Sequence, residues 1–202
     1  MYLLDILDLL SIFAFALVGA RVAADRGLDY GGIAFIALIA SVSGGTLRNV
    51  FLGLLPIWIT DARVIATVLV AVLVTLTVRR VTKIGPVLLA LDTFGLAFAT
   101  MSGAQLAHEI QIPWYAVILM GVVTAVTGGL LRDVLCQVEP VLLHRETIGT
   151  SSFGGAATFV ALIQLGIDSR IAVLIGGAIV IAIRVASIKF DWHLPKLNKA
   201  NS

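Results

Sequence analysis

The sequence contains very little charge for its length. Only 13% of the 202 residues are charged, whereas 59% are hydrophobic, and the mean hydropathy is +1.06. Soluble domains carry about 25% charged residues. A chain with so few charged side chains has too little polar surface to cover a soluble globule, so its composition indicates an integral membrane protein.

Cysteines, excess positive charge and catalytic motifs are scarce as well. The single cysteine, Cys136, excludes an intrachain disulfide and a multi-cysteine metal site. A net charge of +2 provides no broad basic face, so we do not expect nucleic acid as a partner. The chain has no HExxH, Walker-type or GxSxG motif, and its histidines form no metal-ligand pattern. We therefore expect a protein that is not an enzyme and that uses neither a metal nor a cofactor.

What the chain does have is a series of long apolar runs. A spanning helix needs roughly 20 mostly apolar residues. Seven runs approach or exceed that length, at about residues 3–24, 31–55, 62–78, 86–107, 113–138, 147–165 and 170–188. The sequence therefore predicts an all-α integral membrane protein with seven transmembrane helices in the lipid bilayer of the cell (inner) membrane.

The positive residues between these runs predict the orientation of the chain. One side of the predicted bundle collects Arg21, Arg26, Arg79, Arg80, Lys83, Arg145, Lys189, Lys196 and Lys199. The other side collects only Arg63 and Arg170. Because cytoplasmic loops carry the excess of Lys and Arg, we expect the N-terminus outside and the C-terminus in the cytoplasm.

Two similar motifs lie inside the second and fifth runs. The first is SGGTLRN, which begins at Ser43 and includes Gly44, Gly45, Thr46 and Arg48. The second is TGGLLRD, which begins at Thr127 and includes Gly128, Gly129, Arg132 and Asp133. The offset between them is 84 residues (127 − 43 = 84).

The same offset relates other polar, glycine and proline positions. Asp8 corresponds to Asp92, Gly19 to Gly103 and Pro56 to Pro140. Each copy contains three predicted helices, an odd number, so the second copy enters the membrane from the opposite side. We therefore predict an inverted 3+3 repeat with a seventh helix added. Its units are residues 1–83 (first repeat), 84–167 (second repeat), 168–190 (seventh helix) and 191–202 (polar cytoplasmic tail).

The glycine pairs allow two interpretations. Glycine costs about 1 kcal/mol relative to alanine inside a helix, and two in a row permit a bend. A bend in helices two and five would free backbone carbonyls near Ala40, Ser41, Ala125 and Val126 to face a cation. The same stretches carry five hydroxyls, those of Ser41, Ser43, Thr46, Thr124 and Thr127. The alternative is that small residues only let two helices approach closely.

Charged residues accompany both glycine pairs within the predicted membrane. Arg48 and Arg132 cost several kcal/mol at that depth unless they are paired or hydrated. Asp8 lies at a depth similar to that of Arg48, so the two side chains are candidates for an ion pair. The repeat then predicts Asp92 near Arg132, and it places Asp133 beside the inner end of the path. The alternative is that both Arg side chains extend to their nearer membrane surface.

The paired motifs also carry a family resemblance. The stretches GGTLRNVFLGLLPIW and GGLLRDVLCQVEPVLLHRE resemble the prokaryotic branch of the trimeric intracellular cation (TRIC) channels, to which a glycine-transporter label is also attached. The resemblance implies a homotrimer in which each subunit has its own hourglass-shaped pore for K⁺ and Na⁺. It implies that helices two and five kink at their Gly-Gly pairs and line this pore, and that Arg48 and Arg132 are the basic motif residues.

The chain departs from the family pattern in two respects. Animal members have a lysine-containing motif and bind a phosphoinositide, whereas this chain has Arg132-Asp133 there, so lipid regulation is not carried over. Asn49 also stands where the second half has the acidic Asp133, which makes the two halves unequal.

Two functions remain open from the sequence. One is a monovalent cation channel that needs only a hydrated path with weak oxygen ligands. The other is a secondary transporter or facilitator of a small solute such as glycine, because inverted repeats and broken helices are typical of that class. In that case Asp8 or Asp92 would couple protons to transport.

Overall fold

The computed structural model describes residues 2–78, 85–138 and 147–190. In these ranges the chain forms eight helices, which are α1 (Tyr2–Asp25), α2 (Tyr30–Phe51), α3 (Ile57–Thr60), α4 (Ala62–Thr77), α5 (Gly85–Glu109), α6 (Trp114–Leu135), α7 (Thr147–Gln164) and α8 (Ser169–Phe190). Each of the seven predicted runs contains one of the long helices. The polar tail at residues 191–202 lies outside the described residues.

Five of the described helices, α1, α2, α5, α6 and α8, are long and apolar enough to cross a membrane. The fold is therefore that of an all-helical membrane protein. Helix α4 is apolar but has only 16 residues, and α7 carries many glycine, serine and threonine residues. The complete set of seven crossings remains a prediction for this reason.

In two of the described turns, the residues explain where α2 and α6 begin. The side chain of Asp29 accepts a hydrogen bond from the Gly32 backbone N–H at 2.7 Å and thereby caps α2. Pro113 precedes the first residue of α6, where a missing N–H leaves no helical bond unmade.

The segment after α2 differs from the prediction, because α2 ends before the predicted run does and a short separate helix stands between the second and third runs. Helix α2 ends at Phe51, and Gly53 then adopts a positive φ of 71°. Pro56 starts the four-residue helix α3. Asp61 then caps α4 through the Arg63 backbone N–H, and a hydrogen bond from the Arg63 side chain lowers the pKa of the Asp61 carboxyl.

Helix α1 lies at the centre of the packing because it contributes to both hydrophobic clusters. One of its faces, which includes Ile12, Ala16 and Ala20, packs with α2 and α4. Other α1 side chains, including Leu7 and Phe15, pack with helices α5 to α8. Many of the buried residues are alanines, and small side chains of this kind let membrane helices approach closely.

The backbones of α2 and α6 approach each other closely where the two helices cross, at the first glycine of each pair. A Cβ placed on Gly44 would overlap the carbonyl oxygen of Thr124, and a Cβ placed on Gly128 would overlap that of Ala40. The two contacts are related by the 84-residue offset. Both helices remain α-helical through their Gly pairs, so the crossing supports close packing, and the bend remains a prediction.

This crossing predicts different effects for two neighbouring glycines. In Gly44→Ala the new methyl group collides with the Thr124 carbonyl of α6, and we expect a destabilisation of roughly 1–3 kcal/mol. In the matched control Gly45→Ala the nearest atom to the new Cβ is Arg48 Nη2 at 3.9 Å, so we expect unchanged or slightly raised stability. Thermal unfolding of both variants in detergent measures the difference. Equal melting temperatures would show that the close crossing is wrong.

Candidate functional site

The first buried ion pair joins α1 to α2. Arg48 Nη1 lies 2.9 Å from Asp8 Oδ1, and Arg48 Nη2 lies 3.1 Å from Asp8 Oδ2. Ser102 of α5 accepts a hydrogen bond from Arg48 and donates one to Asp8. The Arg48 side chain is 1% exposed and the Asp8 side chain 7%, so both charges depend on each other rather than on water.

Asn49 connects this ion pair to the turn that follows α2. Its side-chain Oδ1 accepts a hydrogen bond from Arg48 Nε at 2.9 Å, and its Nδ2 donates to the Leu55 carbonyl at 2.8 Å. The guanidinium group is therefore held from both sides. We call the set of Asp8, Arg48, Asn49 and Ser102 the Arg48 cluster.

The second ion pair repeats this geometry between α5 and α6. Arg132 Nη1 lies 2.9 Å from Asp92 Oδ1, and Arg132 Nε lies 2.8 Å from Asp133 Oδ1. Arg184 of α8 adds a further cation, with its Nη2 at 3.9 Å from Asp92 Oδ2. We call the set of Asp92, Arg132, Asp133 and Arg184 the Arg132 cluster.

The two clusters share two contacts that are related by the 84-residue offset. In each, an Arg pairs with an Asp of the preceding long helix through Nη1, and it donates through Nε to the residue that follows it in sequence. Gly45 and Gly129 leave the space beside the two Arg Nη2 atoms. Both guanidinium groups are buried in ion pairs, so the alternative in which they extend to the membrane surface is not observed.

A small cavity adjoins each cluster. The cavity beside the Arg48 cluster is lined by Asp8, Ser11, Ser41, Gly44 and other residues of α1, α2, α5 and α6. The cavity beside the Arg132 cluster is lined by Asp92, Gly129, Arg132, Asp133 and their neighbours. In each cavity, the centre of a water-sized sphere can occupy a volume of about 10 Å³. This is close to the space that a single water molecule needs.

Phe15 of α1 lines both cavities. Its side chain is 4% exposed, and its ring packs beside Gly95 of α5 and Gly128 of α6. The equivalent residue in the second half is Ala99, which has no ring to match it. The sequence analysis did not single out Phe15, because one aromatic residue among many in an apolar helix gives no distinguishing signal.

Three hydroxyls that the sequence grouped with the glycine pairs lie elsewhere. Ser43, Thr46 and Thr127 line a mainly apolar groove of about 620 Å³ between α2, α3 and α6. Trp58 Nε1 donates to Thr46 Oγ1 in this groove at 3.1 Å. The structure does not bring these three residues into either of the small cavities, whereas Ser41 and Thr124 do line the first one.

Among the described residues, no group of three or more His, Cys, Asp or Glu side chains is arranged to hold a metal ion. The carboxylates that the sequence analysis singled out, those of Asp8, Asp92 and Asp133, form ion pairs with arginines. The arrangement therefore offers two charge-paired clusters, each beside a small cavity that apolar and polar side chains line together.

Comparison with known proteins agrees with this architecture. The family model described as "Glycine transporter" matches the chain twice, at residues 5–80 and 89–164. A UPF0126 membrane protein of Vibrio cholerae is 31% identical over 195 residues, which cover 95% of this chain and 81% of the relative. The UPF0126 inner membrane protein YadS of Escherichia coli K12 is 29% identical over 192 residues, which cover 93% and 92% of the two chains.

Solved structures are similar over nearly the whole chain. The TRIC trimeric intracellular cation channel orthologue from Rhodobacter sphaeroides has 32% identity and a TM-score of 0.89, and the match covers 95% of this chain and 100% of that one. A second structure, which is described as the structural basis for conductance through TRIC cation channels, has 29% identity and a TM-score of 0.89, and the match covers 98% of each chain. These solved relatives are channels and not enzymes. The chain is therefore a multi-pass integral membrane protein that belongs to the glycine-transporter (UPF0126) family, whose fold is that of the TRIC channels.

Proposed function

We propose that this protein is a cation channel of a bacterial inner membrane, and that K⁺ and Na⁺ are the ions that pass. The observation that carries the proposal is the pair of buried, charge-paired clusters with a small, partly polar cavity beside each, on a chain similar to solved cation channels. A channel needs weak oxygen sites along a path rather than a tight binding pocket.

The path that we propose runs between α1, α2, α5 and α6, from one cavity to the other past Phe15. Backbone carbonyls and hydroxyls near the glycine crossing supply the oxygen ligands. Arg48 and Arg132 do not repel a cation strongly, because each is paired with a carboxylate within 3 Å. In this conformation Phe15 separates two cavities of about one water each, which corresponds to a closed path.

The wider arrangement of the channel is also part of the proposal. We propose seven crossings in an inverted 3+3 repeat. The excess of Lys and Arg in the loops on one side favours an N-terminus outside, with the Arg48 cluster in the outer half of the membrane and the Arg132 cluster in the inner half. We propose a homotrimer with one path per subunit, since the solved relatives are described as trimeric.

The alternative is a facilitator of a small solute, which the glycine-transporter description of the family model favours. The cavities beside the two clusters are too small for glycine in the described conformation, because each has about the room of one water. Solute transport would therefore need a larger rearrangement of the bundle than ion passage does.

Purified protein in a planar bilayer distinguishes the two functions. We expect discrete single-channel currents in KCl, and currents that persist when Na⁺ replaces K⁺. The control is a bilayer with detergent and lipid but no protein. Saturable uptake of glycine into proteoliposomes without unitary currents would contradict the channel and support the facilitator.

If Phe15 separates the two cavities, removal of its ring should increase the open probability of the channel. In Phe15→Ala the two cavities join, so water and ions cross the midplane more easily, and we expect a several-fold rise in open probability. Phe15→Leu keeps an apolar side chain and should show a smaller rise. Single-channel recording measures both, with Phe153→Ala on α7 as the control, since Phe153 is 54% exposed. Equal open probability in Phe15→Ala and wild type would exclude Phe15 as the barrier.

Because Asp8 and Arg48 form a buried ion pair, we expect the effects of substituting them on the free energy of unfolding to be strongly coupled. Either Asp8→Asn or Arg48→Gln leaves one buried charge without its partner, which costs about 3–5 kcal/mol. The double variant removes both charges and should recover most of this loss. Thermal unfolding measures all three, with the surface variant Arg63→Gln as a control that leaves the melting temperature nearly unchanged. Additive losses in the double variant would show that the ion pair does not form.

A further inference from the structure

The segment between α2 and α4 borders the cavity beside the Arg48 cluster. Residues of α1, α2, α5 and α6 line this cavity and, from outside these four helices, Ile57 of α3 lines it too. Ile57 belongs to the connecting segment 53–61, which contains α3 and leads from α2 to α4. Phe15 lines the same cavity and also the cavity beside the Arg132 cluster. The first cavity is thus bordered by the ring that it shares with the second and by a short connecting helix.

Two side-chain hydrogen bonds fasten the segment to α2. Asn49 Nδ2 donates to the Leu55 carbonyl at 2.8 Å. Trp58 Nε1 donates to Thr46 Oγ1 at 3.1 Å. One bond holds the turn before α3 and the other holds α3 itself, so together they keep Ile57 against the cavity.

The segment has few buried contacts with the bundle. None of the four residues of α3 is buried, and Ile57 packs only partly against the core. At the far end, the exposed side chain of Arg63 lies 3.6 Å from Asp5 of α1, and an exposed ion pair of this kind adds little stability. Segments with few buried contacts open at a smaller cost in free energy than the core does. The segment is therefore the part of this end that separates first, while the long helices stay in place.

We propose that the segment 53–61 is a lid over the cavity beside the Arg48 cluster, with Ile57 as the side chain that closes it. Asn49 and Trp58 hold the lid shut through their hydrogen bonds to the turn and to α2. Where it concerns ions, the proposal rests on the proposed channel function. An ion that moves between this end of the path and the cavity then has to pass the lid.

Asn49 also connects the lid to the buried ion pair. Its Oδ1 accepts from Arg48 Nε, and its Nδ2 donates to the Leu55 carbonyl. The equivalent residue of the second half is Asp133, and a carboxylate that is paired with an arginine accepts hydrogen bonds but donates none. Fastening by a side-chain N–H at this position is thus a feature of the first half, and it couples the lid to the Arg48 cluster.

The reaction of an introduced thiol measures the lid without any current. In a Cys136→Ala background, Ser11→Cys places a thiol in the cavity, and a small water-soluble methanethiosulfonate modifies it only when the cavity opens. We expect Ile57→Ala to raise the modification rate about fivefold or more, because the shortened side chain no longer closes the cavity. Ile59→Ala changes an exposed residue of the same helix and should leave the rate unchanged. Ser41→Cys on α2 gives a second probe of the same cavity.

The hydrogen bond of the lid has its own test. Trp58→Phe and Thr46→Val each remove the bond, and we expect either one to raise the modification rate about two- to fivefold. The double variant should react no faster than the faster single variant, because both substitutions remove the same bond. Rates that multiply in the double variant, or an unchanged rate in Ile57→Ala with both probes, would overturn the lid.

A probe in the other cavity separates a lid from a general loosening of the bundle. Ala125→Cys lines the cavity beside the Arg132 cluster, and its rate should not respond to Ile57→Ala. An equal rise at both probes would overturn the lid.

Single-channel recording then separates the lid from the channel function. We expect Ile57→Ala to raise the open probability, whereas Ile59→Ala should not. If the thiol rates change as expected while wild type and variants give no current, the channel function fails and the lid stands. If wild type conducts while the thiol rates do not respond to Ile57→Ala, the lid fails and the channel function stands.

Discussion

The crossing of α2 and α6 depends on the absence of a side chain at two positions. Gly44 meets the Thr124 carbonyl and Gly128 meets the Ala40 carbonyl, and any Cβ at either glycine would overlap the facing oxygen. This contact fixes how far the two helices are shifted along each other. It therefore also fixes where Arg48 and Arg132 lie, four residues beyond each glycine, on opposite sides of the crossing. The positions of both ion pairs, and of the cavities beside them, follow from a contact that contains no charge.

The positions that the crossing imposes on the arginines require partners, because a buried guanidinium without a counter-ion is strongly destabilising. Helices α1 and α5 supply the carboxylates Asp8 and Asp92 at 2.9 Å. Each ion pair therefore joins two helices of its own half, and Ser102 of α5 and Arg184 of α8 add contacts from helices outside that pair. Both positive charges are thus paired in place, and the atoms that face the glycines at the crossing are the carbonyl oxygens of Thr124 and Ala40.

The sequence predicts the parts of this site that occur twice. The offset of 84 residues pairs Asp8 with Asp92 and Arg48 with Arg132, and the structure joins each Asp to its Arg. Features that occur once have no such signal. Phe15, Ser102 and Arg184 correspond to nothing similar in the other half, and the short helix α3 depends on a turn geometry at Gly53 that apolar runs do not reveal. The rotation of a helix about its axis is also hidden in an apolar sequence, which is why Thr46 and Thr127 were grouped with the glycines but face a different groove.

The residues that break the symmetry are concentrated at the site. A duplicated unit would place the same residue at two equivalent positions, and the equivalent residues Phe15 and Ala99 both line the cavity beside the Arg48 cluster. Two phenylalanines there would compete for the space beside the glycine crossing, and two alanines would leave it open. With Phe15 in one half and Ala99 in the other, a single ring fills this space and packs beside Gly95 and Gly128. The change from Asn49 to Asp133 also breaks the symmetry, because it adds a carboxylate that binds the Arg of the second half alone. The two halves thus share a scaffold and an Arg–Asp pair, and they differ in the residues that surround each pair.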